Sequence, residues 1–327
     1  MALIPLVQCL KEAEKGGYGV GAFNVNNMEQ IQAIMMAAQR MRSPVIVQAS
    51  RGALRYSNFV YLKYLIQAAA EENPDIPIVM HLDHGDSLET VKKAIELGFT
   101  SVMIDGSHLP FEENVALTRE VVEYAHERGV SVEAELGTLG GIEEDIANEV
   151  QLTDPDQAEE FVARTGCDAL AVAIGTSHGA HKFKARPVLA LDLIDEIYRR
   201  VRIPLVMHGS SSVPPELVEK INRYGGNIQG SLGVPIESIQ QGIKGGVRKI
   251  NVDTDLRLAA TAAIREVFAT SPEKFDPREY LGPAREAMAE VVAARMEAFG
   301  SAGHAGDYEP MTLEDMKEYY RSKGGQG

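Results

Sequence analysis

Gly98-Phe-Thr-Ser-Val-Met-Ile-Asp105 carries the pattern on which the fold turns: a glycine, a short apolar and β-branched run, and a carboxylate where the run stops. The glycine suits the left-handed position just past a helix, and the run suits a strand buried on both faces of a parallel sheet. The same pattern returns in Gly129-Val-Ser-Val-Glu-Ala-Glu135, Gly166-Cys-Asp-Ala-Leu-Ala-Val-Ala-Ile-Gly175 and Gly246-Val-Arg-Lys-Ile-Asn-Val-Asp253. Together with the apolar stretches Tyr18 to Val25, Pro44 to Ser50, Ile76 to Asp83 and Pro204 to Ser210, these make eight expected strands. Eight strands alternating with helices predict an α/β chain closed into a (β/α)8 TIM barrel with a C-terminal helical extension.

The helices between the strands announce their ends. Asn27 and Gln30 form a capping pair ahead of Met28, Ile31, Met35 and Ala38, whose spacing predicts a core-facing stripe. Ser87 caps the stretch from Leu88 to Leu97, and Pro155 occupies a first helical position. A doubly wound open sheet would share the alternation, but it usually has a glycine-rich loop after its first strand. Here that loop reads Asn24-Val-Asn-Asn27.

The chain's 327 residues fit one barrel of about 250 residues with additions. The expected organisation is a catalytic barrel over 1–300 and a tail over 301–327, with a short helix near Thr312 to Arg321, a Thr312/Asp315 cap and a disordered end. A composition of 45% hydrophobic and 24% charged residues is that of an ordinary globular protein. A formal net charge of -15 excludes broad adhesion to nucleic acid or to an anionic membrane, so an anionic ligand must be held by local groups. Cys9 and Cys167 are too few for a disulfide framework and read as core. No stretch approaches the roughly 18 uninterrupted apolar residues of a membrane span, and a cytoplasmic location is expected.

In such a barrel substrate chemistry gathers at the C-terminal ends of the strands. Those ends carry Asn24, Ser50, Asp83, His84, Asp105, Glu135, His178, His208 and Asn251. His84, His178 and His208 each precede a glycine, in His81-Leu-Asp-His-Gly85, Gly175-Thr-Ser-His-Gly179 and Val206-Met-His-Gly209. One histidine at a loop start is usually just a satisfied polar residue. Three at strand ends match the three-ligand arrangement of a catalytic zinc with an open position. His81 reads as a support behind that shell, and the remaining histidines as structural or solvent-exposed. Asp83, beside a ligand, is placed for general acid/base work, the alternative being a hydrogen bond to His81 or His84. Asp105 and Glu135 read equally as supports or as further metal ligands, including a second site.

The loops after the seventh and eighth strands, Gly209-Ser-Ser-Ser-Val-Pro214 and Asn251-Val-Asp-Thr-Asp255, have the small residues that let backbone N–H groups close on a phosphate. Lys182 offers a point charge for the same anion. A rival enzyme reading makes Lys182 or Lys249 a Schiff-base lysine. A rival of another class is a non-catalytic metal or sugar-phosphate binding protein.

With these blocks in view, together with Gly19-Val-Gly-Ala-Phe-Asn-Val-Asn26, Ser101-Val-Met-Ile-Asp-Gly-Ser107 and Glu133-Ala-Glu-Leu-Gly137, the chain from Met1 to about Gly300 resembles the class II fructose-bisphosphate aldolases, in the shorter-loop branch shared with tagatose-bisphosphate aldolases. The resemblance implies a lyase that cleaves fructose 1,6-bisphosphate to dihydroxyacetone phosphate and glyceraldehyde 3-phosphate, with tagatose or sedoheptulose bisphosphate as competing substrates. It implies zinc on His84, His178 and His208, Asp83 as proton donor, and contacts to the dihydroxyacetone phosphate portion from Gly179, Gly209, Ser210, Ser211, Asn251, Asp253 and Thr254. It further implies a monovalent cation, K+ or Na+, near Gly179, Gly209 and Ser211. Glu143 or Glu144, on a loop after Glu135, would help move the C3 proton. Arg278 would reach the distal phosphate from a neighbouring subunit, hence a homodimer or homotetramer. The tail and the opening Met1-Ala-Leu-Ile4 resemble the carbon-fixation, or Calvin cycle, subtype.

Overall fold

A computed structural model describes residues 3–139, 141–143, 146–148, 151–177, 188–229 and 232–324, with backbone only for the short strands within 141–148. Strands β1 (Val20–Asn24), β2 (Val45–Ser50), β3 (Ile78–Gly85), β4 (Ser101–Ile104), β5 (Ser131–Leu136), β6 (Ala169–Val172), β7 (Leu205–Met207) and β8 (Val247–Val252) form a closed barrel. Each pairs in parallel with its neighbour in sequence, and β8 returns to β1. All eight expected strands are present. The barrel closes because none of these apolar strands, buried along their lengths, is suited to a sheet edge. After β5 a small antiparallel hairpin pairs Gly141–Glu143 with Ile146–Asn148.

The helix signals are realised with two corrections. Asn27 caps helix Met28–Met41 by accepting from Gln30 N at 3.0 Å, but the Gln30 side chain answers Asn26 N at 2.7 Å rather than Asn27. Met28 is 48% exposed, because the first turn of that helix lies above the core that Ile31, Met35 and Ala38 enter. Asp154 caps helix Pro155–Thr165, with Pro155 in the first turn, where its missing N–H does no harm. Cys9 and Cys167 are both buried, and burial pushes each thiol up to about 12.

Alternation along the strands sorts the barrel interior into layers. At the N-terminal end Val20, Ala22, Ile46, Val79, Ala169, Ala171 and Val206 share one apolar cluster with Ile4, Leu6, Cys9 and Leu10. Helix Leu6–Gly16 thus plugs the base. One step up the same inward lines stand Gln48, His81, Glu133 and Lys249; a further step reaches Asn24, Ser50, Asp83, Glu135 and Asn251. Polar chemistry therefore begins halfway up a packed interior, and each fully buried aliphatic side chain below it contributes on the order of 1.5–3 kcal/mol.

The tail is bound to this base. Tyr308 lies in the basal cluster and its hydroxyl meets that of Tyr18 at 2.8 Å. Helix Leu313–Gly324, capped by the Thr312/Asp315 pair, buries Met316 and Tyr320 against Val7. No helix among the described residues is long and apolar enough to cross a membrane.

Candidate active site

Asp83 and His84 are consecutive in β3, and a regular strand would send their side chains to opposite faces. The register between β3 and β4 slips by one residue between Leu82 and Gly85. His84 takes φ 49°, in the left-handed region. This bulge turns both side chains to the mouth, where His84 Nε2 lies 3.9 Å from Asp83 Oδ1. Gly85 follows because a side chain there would meet the Met103 carbonyl at 2.5 Å.

Three amides clamp the Asp83 carboxylate. Asn24 Nδ2 donates to Oδ2 at 2.9 Å, Gln48 Nε2 to the same oxygen at 3.2 Å, and Asn251 Nδ2 to Oδ1 at 3.3 Å. The alternative bond to His81 is not made: His81 Nδ1 bonds Ser101 Oγ at 2.8 Å instead. Asn24 and Asn251, expected to touch substrate, thus hold the carboxylate as well. Gln48 was missed, although its place two residues before Ser50 on an inward line is a usable signal. Ser50 Oγ accepts from Ala53 N at 3.3 Å and caps helix Arg51–Ser57.

Each described histidine of the mouth is held by a carboxylate. His84 Nδ1 pairs with Asp105 Oδ2 at 3.0 Å, and Asp105 Oδ1 accepts from Ser107 N and Oγ. Burial raises the Asp105 carboxyl, but His84 and Ser107 outweigh it, and the group sits well below the usual carboxylate range. His208 Nε2 pairs with Glu133 Oε1 at 2.8 Å, while its Nδ1 lies 3.4 Å from Glu135 Oε2. The two imidazoles meet edge to face with centroids 4.7 Å apart.

Beneath them Glu133, Lys249 and His81 form a network with no solvent exposure. Lys249 Nζ is 2.7 Å from Glu133 Oε2, and His81 Nε2 is 3.4 Å from the same oxygen. Burial raises Glu133, but the Lys249 charge and the His208 hydrogen bond overcome it and hold the carboxyl below its ordinary range. Burial, joined by the Lys249 charge and opposed by Glu133, pushes His81 down to about 3. His208 is likewise lowered by burial, against the hydrogen bond to Glu133. Lys249, fully buried, is thus engaged in an ion pair with Glu133 beneath the mouth, which speaks against its reading as a Schiff-base nucleophile.

This donor set fits a divalent cation. Asp105 holds the Nδ1 side of His84 and Glu133 the Nε2 side of His208, which leaves His84 Nε2 on the side of Asp83 and His208 Nδ1 on the side of Glu135. Ligand atoms of Asp83, His84 and His208, and likewise of His84, Asp105 and Glu135, lie within 4.8 Å of one another. His178, Gly179, Lys182 and Glu144 fall outside the described residues, as does the side chain of Glu143. The described chain before His178 ends at Ser177, whose carbonyl would be 2.6 Å from a side chain on Gly209. The loops carrying His178 and His208 therefore meet at a point only glycine allows, with Gly209 at φ 61°.

The phosphate-type loops are also joined. Ser211 Oγ accepts from Asp253 N at 3.2 Å and Thr254 N at 3.1 Å, capping helix Thr254–Thr270. The Ser210 hydroxyl turns back to the carbonyls of Met207 and His208, so that its backbone N–H is the group placed for a ligand. Asp253 pairs with Arg257, a cation the sequence reading passed over. Arg278 is 90% exposed and pairs with Asp276 of its own chain. Asp255 and Arg295 were missed altogether; the only signal was a second aspartate in Asn251-Val-Asp-Thr-Asp255.

A closed (β/α)8 barrel with a histidine and carboxylate centre in its mouth defines the class: a barrel enzyme equipped for a divalent metal. Within that class, residues 4–304 match the family described as fructose-bisphosphate aldolase class-II, and the chain belongs to this family of lyases, which is generally metal-dependent. It is 63% identical over 323 residues to the fructose-bisphosphate aldolase of Giardia intestinalis, covering 98% of this chain and 100% of that one. It is 52% identical to the plasmid fructose-bisphosphate aldolase of Cupriavidus necator, covering 98% and 100%. Among solved structures it resembles the YdjI aldolase from Escherichia coli K12, with a TM-score of 0.77 and 32% identity over 93% of this chain and 99% of that one.

Proposed function

We propose that the protein catalyses the reversible aldol cleavage of fructose 1,6-bisphosphate to dihydroxyacetone phosphate and glyceraldehyde 3-phosphate. The observation that carries this reading is Asp83, buried, clamped by three amides, and 3.9 Å from the Nε2 of His84. A protein that only bound metal would gain nothing from a proton carrier held in that way. The printed names of the relatives point to the same substrate.

His84 and His208, with His178, hold a zinc ion in this reading, and Asp105 and Glu135 support it or offer a second position. Bound there, the ion supplies electrophilic polarisation of the ketose carbonyl. Asp83 takes the C4 hydroxyl proton as the C3–C4 bond breaks, and the bonding electrons stay with the three-carbon phosphate. In condensation it returns that proton to the aldehyde oxygen. Glu143 or Glu144 carries the proton at C3. The phosphate of the three-carbon half sits on the backbone of Gly209 to Ser211, with Gly179, Lys182, Asn251, Asp253 and Thr254 around it and a K+ or Na+ ion near Gly179, Gly209 and Ser211. Ser50 faces the other half.

Arg278, turned to solvent in its own chain, reaches the distal phosphate of a second subunit in a homodimer or homotetramer. Residues 1–300 form the catalytic barrel and 301–327 an appended closure of its base, in a cytoplasmic enzyme. Coupled detection of triose phosphate, run side by side on fructose, tagatose and sedoheptulose bisphosphates with defined metals, tests the reading. Turnover highest on fructose 1,6-bisphosphate and abolished by chelation is expected. Faster turnover of tagatose bisphosphate would reassign the substrate, and full activity after chelation would remove the metal.

A further inference from the structure

The loop that follows His208 does not hold its own shape. Gly209 stands at φ 61° and Val213 at φ 49°, both in the left-handed region. Glycine accepts that region freely, but a β-branched residue does so only under outside constraint. Val213 is buried, so the constraint comes from within the protein.

It comes from Asp255, a fully buried residue in the first turn of helix Thr254–Thr270. Its Oδ1 accepts from Val213 N at 2.8 Å and its Oδ2 from Ser212 N at 3.1 Å. Arg295, on helix Pro277–Phe299, backs the carboxylate with Nε at 3.0 Å and Nη2 at 2.9 Å from Oδ2. On the other side Gly233 presses on the loop so closely that a side chain there would lie 2.2 Å from the Ser212 carbonyl carbon. Four consecutive N–H groups are thereby divided. Those of Ser212 and Val213 belong to Asp255, whereas those of Ser210 and Ser211 have no hydrogen bond among the described residues although both residues are buried. Buried backbone donors call for an acceptor, and adjacent ones in a tight turn suit a phosphate oxyanion.

We propose that Asp255, braced by Arg295, is the positioning residue of the phosphate cradle: it draws the Ser212 and Val213 N–H groups to itself, holds Val213 in its strained conformation, and so leaves the Ser210 and Ser211 N–H groups to the ligand. This rests on the reading that a substrate phosphate binds between the loops after β7 and β8. Asp255 itself touches no substrate. Its effect is on binding shared by ground and transition states, and it appears in KM rather than kcat.

The test uses the metal-loaded full chain, with inorganic phosphate as a competitive inhibitor and fructose 1,6-bisphosphate as substrate. Asp255→Asn should raise both the KM and the phosphate inhibition constant about tenfold, the worth of one well-aligned charge-assisted hydrogen bond, with kcat changed no more than about threefold and metal content unchanged. Adding Val213→Gly to that variant should recover most of the loss, because glycine keeps the left-handed turn without the carboxylate. A generally weakened fold would not be rescued in this way. Should Asp255→Asn fail to fold, Arg295→Gln, which retains both acceptors, is expected to raise the phosphate inhibition constant about threefold. An unchanged constant in the folded variants, or no rescue by Val213→Gly, overturns the assignment to Asp255. A wild-type enzyme that inorganic phosphate does not inhibit overturns the phosphate reading beneath it.

Discussion

The two ends of the barrel solve the same packing problem in opposite ways. At the base, polar groups of helix Leu313–Gly324 and the strand starts satisfy one another: Tyr320 Oη donates to Asp168 Oδ2 at 2.8 Å, His126 Nε2 meets the same oxygen at 2.8 Å, and the His126 and Tyr320 rings stack 3.6 Å apart. At the mouth, polar groups are held by others one layer back. Asp105 orients His84, Glu133 orients His208, and Asp255 shapes the loop beyond it. Mutual satisfaction makes a floor, and layered support makes a site.

If that contrast is right, substitutions at the mouth reach chemistry and substitutions at the base reach stability alone. The largest effect belongs to Asp83→Ala. It should lower kcat by about 10²–10⁴-fold while metal content measured on the purified protein stays unchanged. Near-normal turnover would take the proton carrier out of the account.

Next comes the buried pair below the mouth. Lys249→Met leaves the Glu133 carboxylate without its cation in a site closed to solvent, and denaturant titration should show a loss of about 3–5 kcal/mol. Wild-type protein incubated with substrate and borohydride should carry no trapped adduct, since this lysine is an ion-pair partner.

Acid provides a graded test. His81 has a folded value pushed down to about 3, whereas in the unfolded chain it titrates near its ordinary 6.5. Between those values the unfolded state binds more protons, so stability is full above the unfolded value and is lost as the pH falls. For chelator-stripped protein, urea titrations from pH 7 to 5 should show a decline approaching about 1.4 kcal/mol per pH unit from this group alone below its unfolded pKa. A flat profile would contradict a neutral His81 beneath the site.

The smallest change is expected at the floor. Tyr320→Phe removes hydrogen bonds to Asp168 and Ser131, and should cost about 1–2 kcal/mol in thermal or denaturant unfolding with kcat unaltered. A fall in kcat there would dissolve the distinction between the two ends.

The same contrast explains what could be read from the chain. Strand runs such as Gly98 to Asp105 are legible because period and punctuation are local, and Asp83, His84 and His208 are legible because strand ends in a closed barrel must converge. Glu133 and Lys249 are harder, since a mid-strand charge gains its meaning only from the strand that closes opposite. Asp255 hides for a similar reason: its partners Ser212, Val213 and Arg295 lie some forty residues away in either direction. The tail's role was illegible because a short, highly charged helix says nothing of the surface it covers.

The central claim is that separate strand ends surround one divalent cation. Its most direct test is dialysis of chelator-stripped protein against Zn2+, with metal analysis of wild type, His84→Ala and His208→Ala. About one tightly held ion per chain in the wild type, lost from both variants, is the predicted result. Equal zinc in all three proteins would contradict it.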